Sequence, residues 1–250
     1  MTGLSLSFPQ VRYKKTSLRA VVCQLRFNPL LRIGQEIPAA FQERVRNEYP
    51  KFLREEGVRL RLTLGEPMAS LSPPTMPTWR FKSQDENWTV GLSPEFLSLE
   101  TGSYRDFPDF ERRFVVAYEA LQEVYKIASF TRVGLRYINI FSPDSFPGGW
   151  LTRINPRLLG ALADPALGGS VLQSEQVFVI SRDAWSITLR HGLEPPDYRL
   201  DLDHAIEGQI DSSTVSTELR VFNDRLFQVF RWAITDQFHK EMEAEPRENH

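Results

Sequence analysis

The chain has 250 residues, 41 % hydrophobic and 12 % aromatic, enough to bury a sizeable core as one large domain or two small ones. No window approaches the roughly 20 consecutive apolar residues of a membrane span, and the start MTGLSLSFPQVRYKK lacks the build of a secretory signal. A single cysteine, Cys23, excludes an internal disulfide and any multi-cysteine metal site, so a cytoplasmic protein that engages no membrane is expected. The net charge of −2 hides an asymmetry, because residues 1 to 61 carry 12 Lys and Arg against 5 Asp and Glu and the remainder 18 against 27. That basic quarter faces phosphate, an acidic partner or the acidic rest of the same chain.

In chain order, LRAVVCQLRF (18–27) predicts a central strand with Val21, Cys23, Leu25 and Phe27 on one face. Phe41, Val45, Tyr49 and Phe52 recur at helical spacing from Pro38 to residue 55, with Pro50 weakening or ending that helix. VRLRLTL (58–64) alternates as a half-exposed strand, and the Pro- and Ser-rich stretch 65–78 is a loop. WRFKS and WTVGL form a hairpin across QDEN, continued by FLSLE. Asp106 caps a helix whose buried stripe runs Phe110, Phe114, Ala117, Tyr118, Leu121, Val124 and Tyr125. FTRVGLRYINIF (130–141) is a strand, followed by a turn-rich loop (142–150) and a short helix in NPRLLGALAD. Three strands, EQVFVIS, AWSITLRH and YRLDLD, lead to a long final helix over 213–238. Its apolar face, from Val215 through Leu219, Phe222, Leu226, Val229, Phe230 and Ala233 to Ile234, is wide enough to be either core or interface. The acidic end, 237–250, is expected to fray.

Short connections mean antiparallel pairing, and helices with one apolar face must lie on the sheet. The expected fold is therefore α+β in a single domain, 1–250, with about eight strands and three long helices. The element order repeats in kind over 18–127 and 130–236 without any residue-level repeat, which suggests two pseudo-repeated halves.

Five stretches, VRYKKTSLRAVVCQLRF, WTVGLSPEFLSLET, FTRVGLRYINIF, YRLDLD and FRWAITDQFHKEM, span nearly the whole chain. Through them it resembles a family of bacterial and archaeal proteins of similar length that is scattered sporadically among genomes and has no agreed activity. Such a distribution is typical of mobile gene sets such as phage-defence or toxin–antitoxin modules, so the resemblance implies a component of such a system.

Three groups of residues could carry chemistry. Arg132, Gly134 and Arg136 share one strand face with a side-chain gap between the arginines, fit either for a phosphate or carboxylate or for cross-strand carboxylates of the fold. Asp201 and Asp203 share a face too; with His204 or Glu207 they could hold a divalent cation, or they could be the carboxylates that the two arginines answer. Arg44, Arg46, Lys51, Arg54, Arg59 and Arg61 form a basic patch that would suit nucleic acid on one face, whereas the interspersed Glu43, Glu48, Glu55 and Glu56 suit local ion pairs. Ser-based nucleophile elbows, phosphate-binding glycine loops and zinc spacings do not occur in the sequence. The favoured expectation is a non-enzymatic interaction or scaffold component, without a resident cofactor, that binds another protein or itself. The alternatives are a metal-dependent phosphoryl or phosphodiester enzyme and a nucleotide or small-anion sensor.

Overall fold

Side chains two apart share a strand face, and along Leu18–Arg26 the alternating Val21, Cys23 and Leu25 are all fully buried in the computed structural model of the chain. The structure describes residues 5–55, 77–142, 149–164, 166–167 and 171–246. The expected strand at 58–64 and most of the expected loops at 65–78 and 142–150 lie outside them. The elements are β1 (Val11–Tyr13), β2 (Leu18–Arg26), α1 (Leu31–Gln35), α2 (Ala39–Val45), β3 (Lys51–Glu55), β4 (Thr78–Lys82), β5 (Trp88–Ser93), β6 (Phe96–Thr101) and α3 (Phe107–Tyr125). Then follow β7 (Ser129–Phe141), α4 (Pro156–Leu159), β8 (Gln176–Arg182), β9 (Trp185–Glu194), β10 (Asp197–Asp211), α5 (Val215–Ala233), α6 (Asp236–Glu241) and β11 (Ala244–Pro246).

The fold is α+β, built on one antiparallel sheet of nine strands in the order β3-β4-β5-β6-β2-β7-β10-β9-β8, with β1 and β11 forming a separate two-stranded ribbon. β2 and β7 lie side by side at the centre. On each side of that seam the element order is the same: the last strand of a meander returns to pair with the central strand, as β6 does with β2 and β10 with β7, and a 19-residue helix follows. α3 and α5 pack beside one another on one sheet face, joined by the Tyr118 hydroxyl donating to the Ser212 carbonyl at 2.5 Å and by the Arg220–Glu111 pair at 2.7 Å. Among the described residues, no helix is long and apolar enough to cross a membrane.

Local chemistry sets the long helices. Asp106 is extended and its carboxylate accepts the Asp109 N–H at 2.9 Å, with Pro108 in the first turn, which is the capping arrangement the sequence predicts. Asp106→Ala is expected to cost about 1 kcal/mol of stability, read from the urea midpoint. The wide apolar face of α5 is core: Val215, Leu219, Phe222, Leu226, Val229 and Ala233 are buried.

Several expectations change. The helical spacing traced from Pro38 to residue 55 yields only α2, seven residues long; the helix ends before Pro50, as that residue's missing N–H leads one to expect, and Lys51–Glu55 is an edge strand carrying Phe52 against Trp79 and Phe81. Among the described residues the sheet has nine strands, close to the eight or so expected, and two long helices lie on it rather than three. The final helix breaks at Ile234, where Ile154 bridges to it and Thr235 donates its N–H to the Arg153 carbonyl. Thr235 then caps α6 by accepting the Phe238 N–H at 3.2 Å. Nor does the end fray from 237: Phe238 and Met242 are buried, Arg153 holds Glu241 at 3.1 Å, and β11 pairs with β1, while residues 247–250 lie outside the described residues.

Candidate functional site: a cavity over the central seam

The arginines and aspartates singled out in the sequence meet one another. On the sheet face away from the helices, Arg136 donates twice to Asp201, at 2.7 and 2.5 Å, and Arg132 donates to both oxygens of Asp203, at 3.2 and 3.1 Å. Arg190 on β9 approaches Asp201 at 3.9 Å, and Glu207 approaches Arg132 at 3.7 Å. Gly134 does leave a gap, but the guanidinium of Arg132 folds into it, and an added Cβ would collide with that group. The two arginines are therefore answered by carboxylates of the fold. His204 points to the opposite, helix-bearing face, stacked 4.1 Å from the Phe222 ring, so it does not join Asp201 and Asp203. Among the described residues, no group of three or more His, Cys, Asp or Glu could hold a metal ion.

The basic patch is dispersed as well. Arg44 pairs with Glu123, Arg46 with Glu43 at 3.1 Å, Lys51 with Glu86 at 2.8 Å, and Arg54 lies over the Trp79 ring at 5.1 Å. Arg59 and Arg61 lie outside the described residues.

The structure brings together a different set of groups. A cavity of about 780 Å³ opens over the β2/β7 seam, between the start of α3 and the middle of α5, under the β1/β11 ribbon. Its floor comes from β7, where Tyr137 and Asn139 are two apart and face the helices. One wall is Tyr104 and Phe107 at the start of α3. The other is Asn223, Phe227 and Phe230, at the i, i+4 and i+7 positions of one α5 stripe.

Hydrogen bonds fix the floor. The Tyr137 hydroxyl donates to Asn223 Oδ1 at 2.9 Å, so the Tyr104 hydroxyl, 3.4 Å away, is the donor to Tyr137. Asn139 accepts from the Ser17 hydroxyl at 3.1 Å and donates to the Leu200 carbonyl at 3.3 Å. In the roof, burial pushes the Tyr13 phenol up to about 12, so it stays protonated, and its hydroxyl shares a hydrogen bond with His239 Nδ1 at 2.9 Å. At the mouth, Lys14 is paired with Glu245 at 2.8 Å and Arg105 with Asp106 at 3.0 Å, whereas Arg12 makes no ion pair among the described residues.

Aromatic walls, an ordered floor of hydroxyls and amides, and a guanidinium at the mouth that makes no ion pair among the described residues are the kinds of group that line small-ligand pockets. The sequence held a signal for it, an amide inside the apolar strand RYINIF and another inside the apolar stripe of VFNDRLF. No protein-family model matches the chain, and no curated protein matches it.

Proposed function

We propose that this protein is a non-enzymatic binding component that senses a nucleotide-like ligand, a planar ring carrying phosphate, in the seam cavity. The observation that carries the proposal is the pairing of aromatic walls and amide floor with Arg12 at the mouth, a guanidinium that makes no ion pair among the described residues. A base would stack on Tyr104, Phe107 or Phe227, its edge would meet the donors and acceptors of Asn139 and Asn223, and phosphate would meet Arg12. The volume of about 780 Å³ lies within the range of roughly 300–1,000 Å³ usual for such pockets. The family resemblance supports placing this sensor in a sporadically inherited bacterial system, defence or toxin–antitoxin, where occupancy would be passed to a protein partner. A metal-dependent phosphoryl enzyme built on Asp201 and Asp203 is less favoured, since both carboxylates would first have to leave their arginines.

A thermal-shift panel of nucleoside mono-, di- and triphosphates tests the proposal. A cognate ligand at a hundred times its Kd stabilises by about 2.7 kcal/mol, so Tm is expected to rise by about 5–10 °C. Arg12→Ala is expected to weaken binding about 10- to 100-fold, the loss of one charge-assisted contact. If no nucleotide moves Tm, or if Arg12→Ala binds as tightly as the native chain, the assignment fails.

A further inference from the structure

The two edges of the nine-stranded sheet are defended differently. β3 carries Lys51, Arg54 and Glu55 in its five positions, the charged composition that discourages edge-to-edge pairing. β8 reads QVFVISR, with no charge before its last residue and no proline, and it is exposed on both faces at once: Val177 by 49 %, Phe178 by 47 % and Val179 by 63 %. A bare apolar edge strand of this kind is a template for another strand.

We propose that β8 is a self-association edge, pairing antiparallel with β8 of a second copy about a two-fold axis through Val179, so that two sheets become one. The hydrogen-bonding phase selects this register. β8 and β9 are joined by the two-residue turn Asp183–Ala184, whose flanking pair is Arg182 and Trp185. In a two-residue hairpin that flanking pair is hydrogen-bonded and the pattern alternates from there. Gln176, Phe178, Ile180 and Arg182 therefore turn their amides toward β9, and Val177, Val179 and Ser181 turn theirs outward. A two-fold axis through Val179 uses all three outward residues, Val177 with the second copy's Ser181 and Val179 with its own equivalent. A shift of two residues in either direction loses part of this ladder.

The side chains agree with the backbone. In this register Phe178 lies against Ile180 on the helix-bearing face, where Phe178 already stacks on His191 at 5.7 Å. Val179 meets Val179 on the other face, and Gln176 meets Arg182 at the ends, so no like charges oppose one another within the strand. An isologous contact of this kind closes on itself as a dimer. A seven-residue pair, about 23 Å long at 3.3 Å per residue, is small for an interface, so the dimer is weak and concentration-dependent, with Kd in the micromolar range.

Sedimentation velocity of the full chain from about 2 to 200 µM is expected to move from monomer to dimer. Val179→Lys, which sets two ammonium groups against one another on the axis, is expected to raise the dimer Kd at least 100-fold while leaving Tm unchanged, the position being exposed. Should that variant misfold, Ser181→Pro removes an outward N–H and leaves the β9 ladder intact; it is expected to abolish the dimer equally. Val179→Cys treated with glutathione disulfide should yield a crosslinked dimer, and Val177→Cys, which faces Ser181, should not. A native chain that remains monomeric at 200 µM overturns the proposal, and so does a dimer indifferent to Val179→Lys and Ser181→Pro.

Discussion

Replacing Arg136 by alanine is expected to destabilise the protein by about 3–5 kcal/mol, and replacing Asp201 by alanine by about 1–2 kcal/mol, although the two substitutions break the same ion pair. The asymmetry follows from burial. The Asp201 side chain is 0 % exposed while that of Arg136 is 40 % exposed. Without Arg136, a carboxylate is left in the sheet with only Arg190 nearby at 3.9 Å. Without Asp201, the guanidinium turns into water along a stem that stays packed. The Asp201 hydrogen bond also raises the affinity of Arg136 for its proton, against the opposing effect of burial, so the arginine remains a cation throughout the accessible pH range. Urea unfolding of both single variants and the double variant checks the prediction. Equal costs for the two single variants would show that Asp201 is supported by something other than Arg136.

Acid is expected to weaken the protein between about pH 6.5 and pH 3, and His204 is expected to account for a large share of that loss. Burial among Trp185, Phe222 and the sheet, reinforced by the positive charge of Arg225, pushes this imidazole down to about 3, against a backbone hydrogen bond at Ala205 that acts the other way. Arg225 Nη1 lies 3.2 Å from His204 Nε2, so the ring must be neutral there to accept. The folded state thus refuses a proton that the unfolded chain takes up near pH 6.5. Stability is complete above that pH and declines as pH falls toward the folded value. His191, also lowered by burial, acts in the same direction. His204→Phe keeps the stack on Phe222 and removes the titration. It should cost about 1 kcal/mol at pH 7.5, through the lost Arg225 bond, and be the more stable protein by roughly 2 kcal/mol at pH 4, because the native chain loses roughly 3 kcal/mol to His204 by then. Parallel stability–pH curves for the two proteins would rule out His204 as the acid-sensitive group.

The charged residues of the ion-pair network are legible in the sequence, and the cavity is not. Arg132, Arg136, Asp201 and Asp203 stand out because charges are rare inside apolar strands, and their mutual pairing is one of the two alternatives the spacing left open. Tyr137, Asn139 and Asn223 do not stand out. A tyrosine or asparagine in an apolar stripe has no visible role until the element opposite is known, and Tyr137 and Asn223 become one hydrogen-bonded pair only because α5 crosses β7.

Short-range physics decided what the sequence by itself determined. The alternation of β2, the Asp106 cap of α3, the three meander strands before α5 and the α+β class all depend on residues within a few positions of one another. Where two local signals conflict, as helical spacing and Pro50 do over 38–55, the pattern alone leaves the boundary open, and the β3/β4 pairing settles it. Tertiary structure alone decided the seam of β2 against β7, more than 100 residues apart in the chain, and the break after Ala233. It also decided the ribbon joining the two ends, the cavity beneath it and the bare edge at β8. Each depends on partners distant in sequence, brought together because burying both apolar helix faces on one sheet leaves few ways to order the strands.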